Sequence, residues 1–232
     1  MANVLFPTTI IDNFFDDPYA VRKLALSTKF YPNKDGRWPG ARSDGINNID
    51  YELFEHTASK VLSIFYDLNQ IKSYNLCLSF QHIVPRYERT NPRNRGFIHR
   101  DQFLLGGIVY LNEEYEDGIG TSIYTPKKSW YCTTSHKMLS DRVNNLKINC
   151  YTNKSEIADD EVKMWNKHKD RFNETVTVQN VFNRCLLFDG TTFHGVPNFG
   201  TKERLSMNVF LNDIRFEEGS VPTWPMYRGS CT

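Results

Sequence analysis

The 232-residue sequence lacks the features that mark several specialised classes of protein. Its five cysteines show no CxxC spacing, which argues against a thiolate zinc site and against a dithiol redox centre. No apolar run is long enough to span a bilayer, and the N-terminus has no charged segment followed by an apolar one. We therefore expect a reduced, cytoplasmic setting without a membrane partner.

An excess of charge of one sign is also missing. The chain has 28 basic and 27 acidic residues, so no overall field would recruit nucleic acid. No internal repeat, low-complexity tract or Gly/Ser linker divides the sequence, which predicts a single domain over residues 1–232. The expected partner is a small-molecule or peptide substrate, and the oligomeric state stays open.

Aromatic residues are abundant, with 16 Phe and 12 Tyr, as is typical of a β-rich domain. A helical period predicts a support region in residues 1–75, with helices near 17–27 and 50–68 around a loop at 38–43. The spacing of apolar residues then changes toward two, which predicts a β core over 76–212. The core contains an insert at 126–172 and is followed by a tail at 213–232. Strands are predicted at residues 4–12, 76–84, 104–111, 121–124, 175–178, 183–188 and 203–211. This order predicts a small barrel or sandwich backed by helices.

The sequence contains the pattern His-x-Asp twice. His99 and Asp101 precede a predicted strand, and on a strand residues two apart share a face, so both side chains can meet one ion. His168 and Asp170 lie in a charged segment, 156–172, that is predicted to be helical around Val162 and Trp165, with His168 as a third candidate for the packed face. There, residues two apart point about 200° away from each other. We therefore exclude the second pair as a metal site.

Two later residues complete a candidate site. An apolar strand turns through 189–190 and presents His194. The strand after it alternates, with Arg204, Ser206 and Asn208 on one face and apolar residues on the other. A surface strand would turn Arg204 to water, whereas a barrel strand would turn it into a polar lumen.

Two imidazoles and one carboxylate form the facial triad of non-haem Fe(II) oxygenases. Three protein ligands leave three octahedral positions open, enough for a bidentate organic acid and O2. Zinc also accepts two histidines and an aspartate, as in a hydrolase, but a hydrolase does not need a partnered arginine. The fork of Arg204 fits a carboxylate better than lysine would.

With these residues in order, the chain resembles the 2-oxoglutarate/Fe(II)-dependent oxygenase superfamily, and most of all its prolyl-hydroxylase-like branch. The resemblance covers roughly residues 76–212 and is carried by His99-x-Asp101, the strand at Tyr110, His194 and Arg204-x-Ser206. It implies a double-stranded β-helix (jelly-roll) core backed by N-terminal helices. The spacing from His99 to His194 is longer than in compact members, which we attribute to the insert.

The resemblance also implies an activity, which is hydroxylation of a C–H bond with release of succinate and CO2. His99, Asp101 and His194 would be the catalytic metal ligands for Fe(II). Arg204 would bind 2-oxoglutarate, with Tyr110 and Ser206 as further hydrogen-bonding residues, and O2 would be the oxidant. A peptidyl proline is the first candidate substrate.

Two other functions stay open at this stage, namely a non-catalytic jelly-roll binding or structural protein and a cupin-type metal enzyme that does not use 2-oxoglutarate.

The arginine-rich segment at residues 86–100 allows two interpretations. It is either a solvated loop or a mobile lip that attracts an acidic substrate. Its basic residues are Arg86, Arg89, Arg93, Arg95 and Arg100.

Overall fold

The structure is a computed structural model that describes residues 4–5, 7–36, 38–127, 148, 151, 158–218 and 226–227. The helices are α1 (Pro18–Ser27), α2 (Ile46–Ile49), α3 (Tyr51–Ser63) and α4 (Asp159–Lys169), with a 3₁₀ turn at Leu68–Gln70. The strands are β1 (Val4–Leu5), β2 (Thr9–Ile11), β3 (Tyr31–Pro32), β4 (Ala41–Gly45), β5 (Ile71–Ile83), β6 (Leu105–Tyr110), β7 (Gly120–Pro126), β8 (Phe172–Gln179), β9 (Cys185–Asp189), β10 (Phe193–Gly195), β11 (Arg204–Phe216) and β12 (Met226–Tyr227).

The described strands form one large sheet, one small sheet and a two-stranded ribbon of β1 and β12. The large sheet has the order β2-β9-β6-β11-β5-β4-β3, and the small sheet has the order β10-β7-β8. Side chains from both sheets share one interior cluster, which consists of Tyr110, Ile123, Val178, Leu186 and Phe188. Two antiparallel sheets closed around such an interior form a jelly roll, and the predicted fold class is confirmed.

The helices cover the outer face of the large sheet. Alternation along β11 sends Leu205, Met207 and Val209 outward, where they are buried with Val21 of α1 and Val61 of α3. Burial of each such side chain stabilises the fold by roughly 1.5–3 kcal/mol relative to exposure. The same alternation leaves the opposite face of β11 for the polar residues of the interior.

Both long N-terminal helices begin at an aspartate. The Asp17 carboxylate accepts from the Ala20 N–H at 2.9 Å, and the Asp50 carboxylate accepts from the Leu53 N–H at 2.9 Å. The helix predicted near 17–27 is confirmed, but α3 ends at residue 63 and not near 68. The helical spacing of apolar residues continues past the end of α3, because Phe65 lies in the core although it is not part of the helix.

The large sheet extends beyond the predicted range of 76–212. β5 begins at residue 71, and β11 runs to residue 216. β2 lies within the strand predicted at 4–12, whereas β3 and β4 come from the part of the support region for which no strand is predicted. β4 also replaces part of the loop predicted at 38–43. These strand ends are short or polar, as at Lys72 and Ser73, so they lack the alternation that indicates a half-buried strand.

The described part of the insert holds α4, at 159–169, within the helix predicted for 156–172. Most of the remainder of 126–172 lies outside the described residues. Among the helices that the structure describes, none combines the length and the apolar character needed to cross a membrane.

Candidate metal centre and co-substrate pocket

Backbone pairing brings the two histidines together. His99 and His194 exchange two backbone hydrogen bonds, of 2.9 and 2.8 Å, in an isolated antiparallel bridge. The expectation that His99 and Asp101 lie together on a strand is wrong. The Asp101 N–H donates to the Gly190 carbonyl at 2.8 Å and does not join a strand ladder, and β6 begins only at Leu105. The extended segment nevertheless places both side chains at one point.

The turn after β9 holds Asp101 in place. The Asp189 carboxylate accepts from the Thr191 N–H at 2.8 Å and closes this turn. At Gly190, an added Cβ would lie 1.9 Å from the carbonyl oxygen of Phe103, so only glycine fits. The turn thus presents His194 on one side and supports Asp101 on the other.

One ligand atom from each of His99, Asp101 and His194 lies within 4.8 Å of the other two. The Nε2 atoms of His99 and His194 lie 3.7 and 3.5 Å from the Asp101 carboxylate oxygens. The two imidazole ring centroids are 4.5 Å apart. These separations are longer than ordinary hydrogen bonds and leave room for a cation between the three groups.

The backbone fixes the tautomer of both histidines. His99 Nδ1 lies 2.8 Å from the Phe97 carbonyl oxygen, and His194 Nδ1 lies 2.9 Å from the Thr192 carbonyl oxygen. A carbonyl oxygen can only accept, so Nδ1 donates in each ring and Nε2 keeps its lone pair. Both lone pairs then belong to the atoms that face Asp101. Metal-binding histidines are oriented by such hydrogen bonds to backbone carbonyls.

His168 has a different role from a metal ligand. It lies on α4, is buried, and its Nε2 is 2.9 Å from the Ile98 carbonyl oxygen. Its ring stacks on Phe97 at 4.6 Å, and the Phe97 N–H donates to the Tyr151 hydroxyl at 2.8 Å. The helix therefore supports the segment that carries His99. The predicted helix face of Val162, Trp165 and His168 is buried, but no sequence pattern indicates that this face supports His99.

Arg204 points into the barrel, as the lumen interpretation of β11 expects. It is 2% exposed, and its Nη1 donates to the Gly120 carbonyl at 3.0 Å. Its Cζ lies 5.4 Å from the centre of the Tyr110 ring. The described ranges provide no ion pair for this guanidinium, and its Nε is buried without a hydrogen-bond partner. Burial lowers the pKa of Arg204, with Tyr110 acting in the opposite direction.

Further polar groups surround this buried cation. The Tyr110 hydroxyl donates to Thr121 Oγ1 at 2.9 Å, and Ser206 is the direct cross-strand neighbour of Tyr110. Ser206 Oγ is buried without a partner among the described residues. Burial raises the pKa of Tyr110, so its hydroxyl stays a neutral donor. Arg204, Tyr110 and Ser206 are thus brought together, and Thr121 joins them. The sequence indicated Thr121 only as the start of a strand.

The arginine-rich segment is tied down by acceptors on neighbouring elements. Arg89 pairs with Glu116 at 3.1 Å, Arg93 pairs with Asp159 at 2.7 Å, and Arg95 donates to Asn166. These contacts fasten the segment to the loop before β7 and to α4. These three side chains thus have acceptors on neighbouring elements, and a lip that attracts an acidic substrate stays a prediction.

Comparison with known proteins gives a family and a fold. Residues 5–210 match the family described as a family of unknown function, DUF6445. The chain belongs to that family. No curated protein matches the chain.

Among solved structures, the chain is similar to HygX from Streptomyces hygroscopicus, determined with nickel and 2-oxoglutarate bound. The identity is 12%, the match covers 88% of this chain and 82% of that chain, and the TM-score is 0.51. The predicted resemblance to 2-oxoglutarate/Fe(II) oxygenases is therefore confirmed at the level of the fold.

Two further solved structures are also similar to the chain. A 2OG-Fe(II) oxygenase family oxidoreductase from Burkholderia pseudomallei has 9% identity, coverage of 88% and 85%, and a TM-score of 0.49. A Pseudomonas putida prolyl-4-hydroxylase has 15% identity, coverage of 88% and 91%, and a TM-score of 0.44.

Proposed function

We propose that this protein is a 2-oxoglutarate- and Fe(II)-dependent dioxygenase that hydroxylates a C–H bond. The observation that carries the proposal is a pair of sites connected by the interior cluster, because Phe188 packs in the cluster of Tyr110 and its ring lies 4.4 Å from the His194 ring. The first is the triad of His99, Asp101 and His194, in which the Nε2 atom of each imidazole faces the Asp101 carboxylate. The second is Arg204, a buried cation for which the described residues offer no counter-charge.

The residues of the chain have separate tasks in this proposal. His99, Asp101 and His194 hold the cation on one side and leave its other positions open. Arg204 binds the distal carboxylate of 2-oxoglutarate, with hydrogen bonds from Tyr110 and Ser206. A buried arginine without an anion is costly, and a carboxylate restores its charge balance.

The overall reaction balances in atoms and electrons. One 2-oxoglutarate, one O2 and one C–H bond give succinate, CO2 and an alcohol. One oxygen atom enters succinate and the other enters the alcohol. Two electrons come from the oxo acid and two from the C–H bond. Bound Fe(II) with 2-oxoglutarate supplies this oxidation chemistry, while the protein supplies orientation and charge. A peptidyl proline stays a prediction from the sequence resemblance.

The direct test is anaerobic titration of the Fe(II)-loaded protein with 2-oxoglutarate, followed by measurement of succinate in air. Wild type should bind 2-oxoglutarate and form succinate slowly. EDTA should remove this activity until Fe(II) is restored. Arg204→Met weakens 2-oxoglutarate binding by at least about tenfold, because a charge-assisted bidentate contact is lost. Metal affinity of this variant stays within about twofold of wild type, since Arg204 is not a ligand.

The control is Arg215→Met, which removes an exposed arginine that pairs with Asp213 at 3.2 Å. It should leave 2-oxoglutarate binding unchanged. Metal binding without 2-oxoglutarate binding in wild type would favour the cupin-type alternative. Absence of metal binding would favour a non-catalytic jelly-roll protein.

A further inference from the structure

A second arginine, Arg42 on β4, faces the interior that holds the triad. In the register of the large sheet, Arg42 lies directly opposite Gln81 of β5, and Gln81 lies directly opposite Ser206 of β11. Side chains in one cross-strand row lie on the same face of a sheet. Arg42 therefore emerges on the face that carries Ser206 and Arg204, and not on the face covered by helices.

Two aromatic rings hold the guanidinium of Arg42. Its Cζ lies 4.4 Å from the centre of the Trp38 ring and 5.2 Å from the centre of the Phe210 ring. Phe210 packs on Phe103 at 4.5 Å, and Phe103 is only two residues from Asp101. Burial lowers the pKa of Arg42 to about 10, and the charge of Asp101 acts in the opposite direction. The cation is thus close enough to the triad to feel its carboxylate.

Two buried donors of this cluster have no acceptor among the described residues. Arg42 Nε and Trp38 Nε1 are both buried without a hydrogen-bond partner within the described ranges. Arg42 also forms no ion pair there, whereas Arg184 and Arg93 each pair with an aspartate. Leaving a buried donor unsatisfied costs about 1–3 kcal/mol, more for a charged one. Such a cost is recovered when a ligand supplies the acceptor.

We propose that Arg42 and Trp38 bind a free carboxylate on the primary substrate and hold that substrate beside the triad. This inference rests on the proposed function, because it assigns a substrate class to the same site. The aromatic rings occupy the region around the guanidinium faces, so a ligand approaches its edge, where a planar carboxylate accepts two parallel hydrogen bonds. One guanidinium near Asp101 matches a single negative charge better than the double charge of a phosphate.

The test compares acids with their amides as probes. Full-length protein is loaded with Zn(II) as a diamagnetic substitute and saturated with 2-oxoglutarate, so that probe acids do not occupy the site at Arg204. Ligand-observed NMR then measures binding of a panel of α-amino acids and benzoate, each beside its primary amide. Wild type should bind members of the acid series and select each acid over its amide by at least about tenfold.

Three variants locate the effect. Arg42→Met should abolish the preference for acids over amides, Arg42→Lys should keep part of it, and Trp38→Phe should weaken acid binding by about threefold to tenfold through loss of one hydrogen bond. Thermal denaturation of each variant verifies that it is folded. In Arg42→Met, the affinity for 2-oxoglutarate should stay within about twofold of wild type.

Several outcomes would overturn this inference. Equal binding of acids and amides, no binding by any acid of the panel, or unchanged acid binding in Arg42→Met would each do so. A tenfold loss of 2-oxoglutarate affinity in Arg42→Met would instead assign Arg42 to the co-substrate. Failure of wild type to bind 2-oxoglutarate would refute the proposed function itself. This binding is measured before the probe acids are added, so the two failures can be distinguished.

Discussion

Residues 99–101 and 168–170 share the pattern His-x-Asp but differ in everything around it. The first copy lies in an extended segment, where the side chains of His99 and Asp101 meet His194. The second copy ends α4, where His168 is buried while Asp170 is exposed. The same two-residue spacing therefore gives a convergent pair in one backbone and a divergent pair in the other.

The two copies are also in physical contact through the backbone. His168 bonds to the Ile98 carbonyl, which directly precedes His99 in the chain. One copy of the pattern thus supplies candidate ligands, and a residue of the other copy supports the segment that carries them. A histidine that is not a metal ligand can therefore still contribute to the structure of the site.

The largest expected effect comes from a matched pair of aspartate variants. Asp101→Ala should weaken Fe(II) or Co(II) binding by more than about 100-fold, because loss of a ligand exceeds the roughly 10- to 100-fold effect of an outer-shell change. Asp170→Ala should leave metal binding unchanged, since Asp170 is exposed on the far side of α4 from His168. Calorimetric titration measures both. A weaker metal affinity in Asp170→Ala than in Asp101→Ala would mean that the wrong pair is assigned to the metal.

A smaller effect is expected when His168, which supports the segment around His99, is replaced. His168→Ala should lower metal affinity by about tenfold, because the segment around His99 loses an anchor. It should also lower the free energy of unfolding by about 1–3 kcal/mol, through the lost hydrogen bond and packing. His168→Gln, whose amide can still donate to Ile98, should recover part of both. Titration of folded protein separates the two effects, and an unchanged metal affinity in His168→Ala would limit His168 to stability.

The smallest effect is a pH dependence of stability. Burial lowers the pKa of His168 below its ordinary value of 6.5, with the hydrogen bond to Ile98 acting in the opposite direction. As the pH falls through 6.5, the unfolded chain takes up a proton at this residue before the folded chain does. Stability is therefore lost on acidification until the pH reaches the folded pKa.

Urea unfolding of metal-free wild type and of His168→Gln, from about pH 7.5 to about pH 5.5, measures this contribution. Wild type should lose stability more steeply than the variant. Other titrating groups are common to both proteins and cancel in the difference. Parallel pH profiles would show that His168 is not the residue responsible.

Local patterns predicted the elements better than their ends. The caps of α1 and α3 follow from Asp17 and Asp50, and the alternation along β11 identified both of its faces correctly. The start of β5 and the edge strand β3 carry no such pattern, because their exposed side chains place no demand for apolar residues. Their pairing is decided by the neighbouring strand and not by their own sequence.

The sequence by itself determined which residue types could form a site: two histidines and an aspartate with suitable spacing, and an alternating strand that places Arg204 with Ser206. Only the tertiary structure decided that Nδ1 of both histidines faces a carbonyl, that Thr121 joins Arg204, and that Arg42 faces the same interior. Backbone geometry and local pattern are encoded in nearby residues. Convergence of groups that are far apart in the chain depends on how two sheets close, and no short segment contains that information.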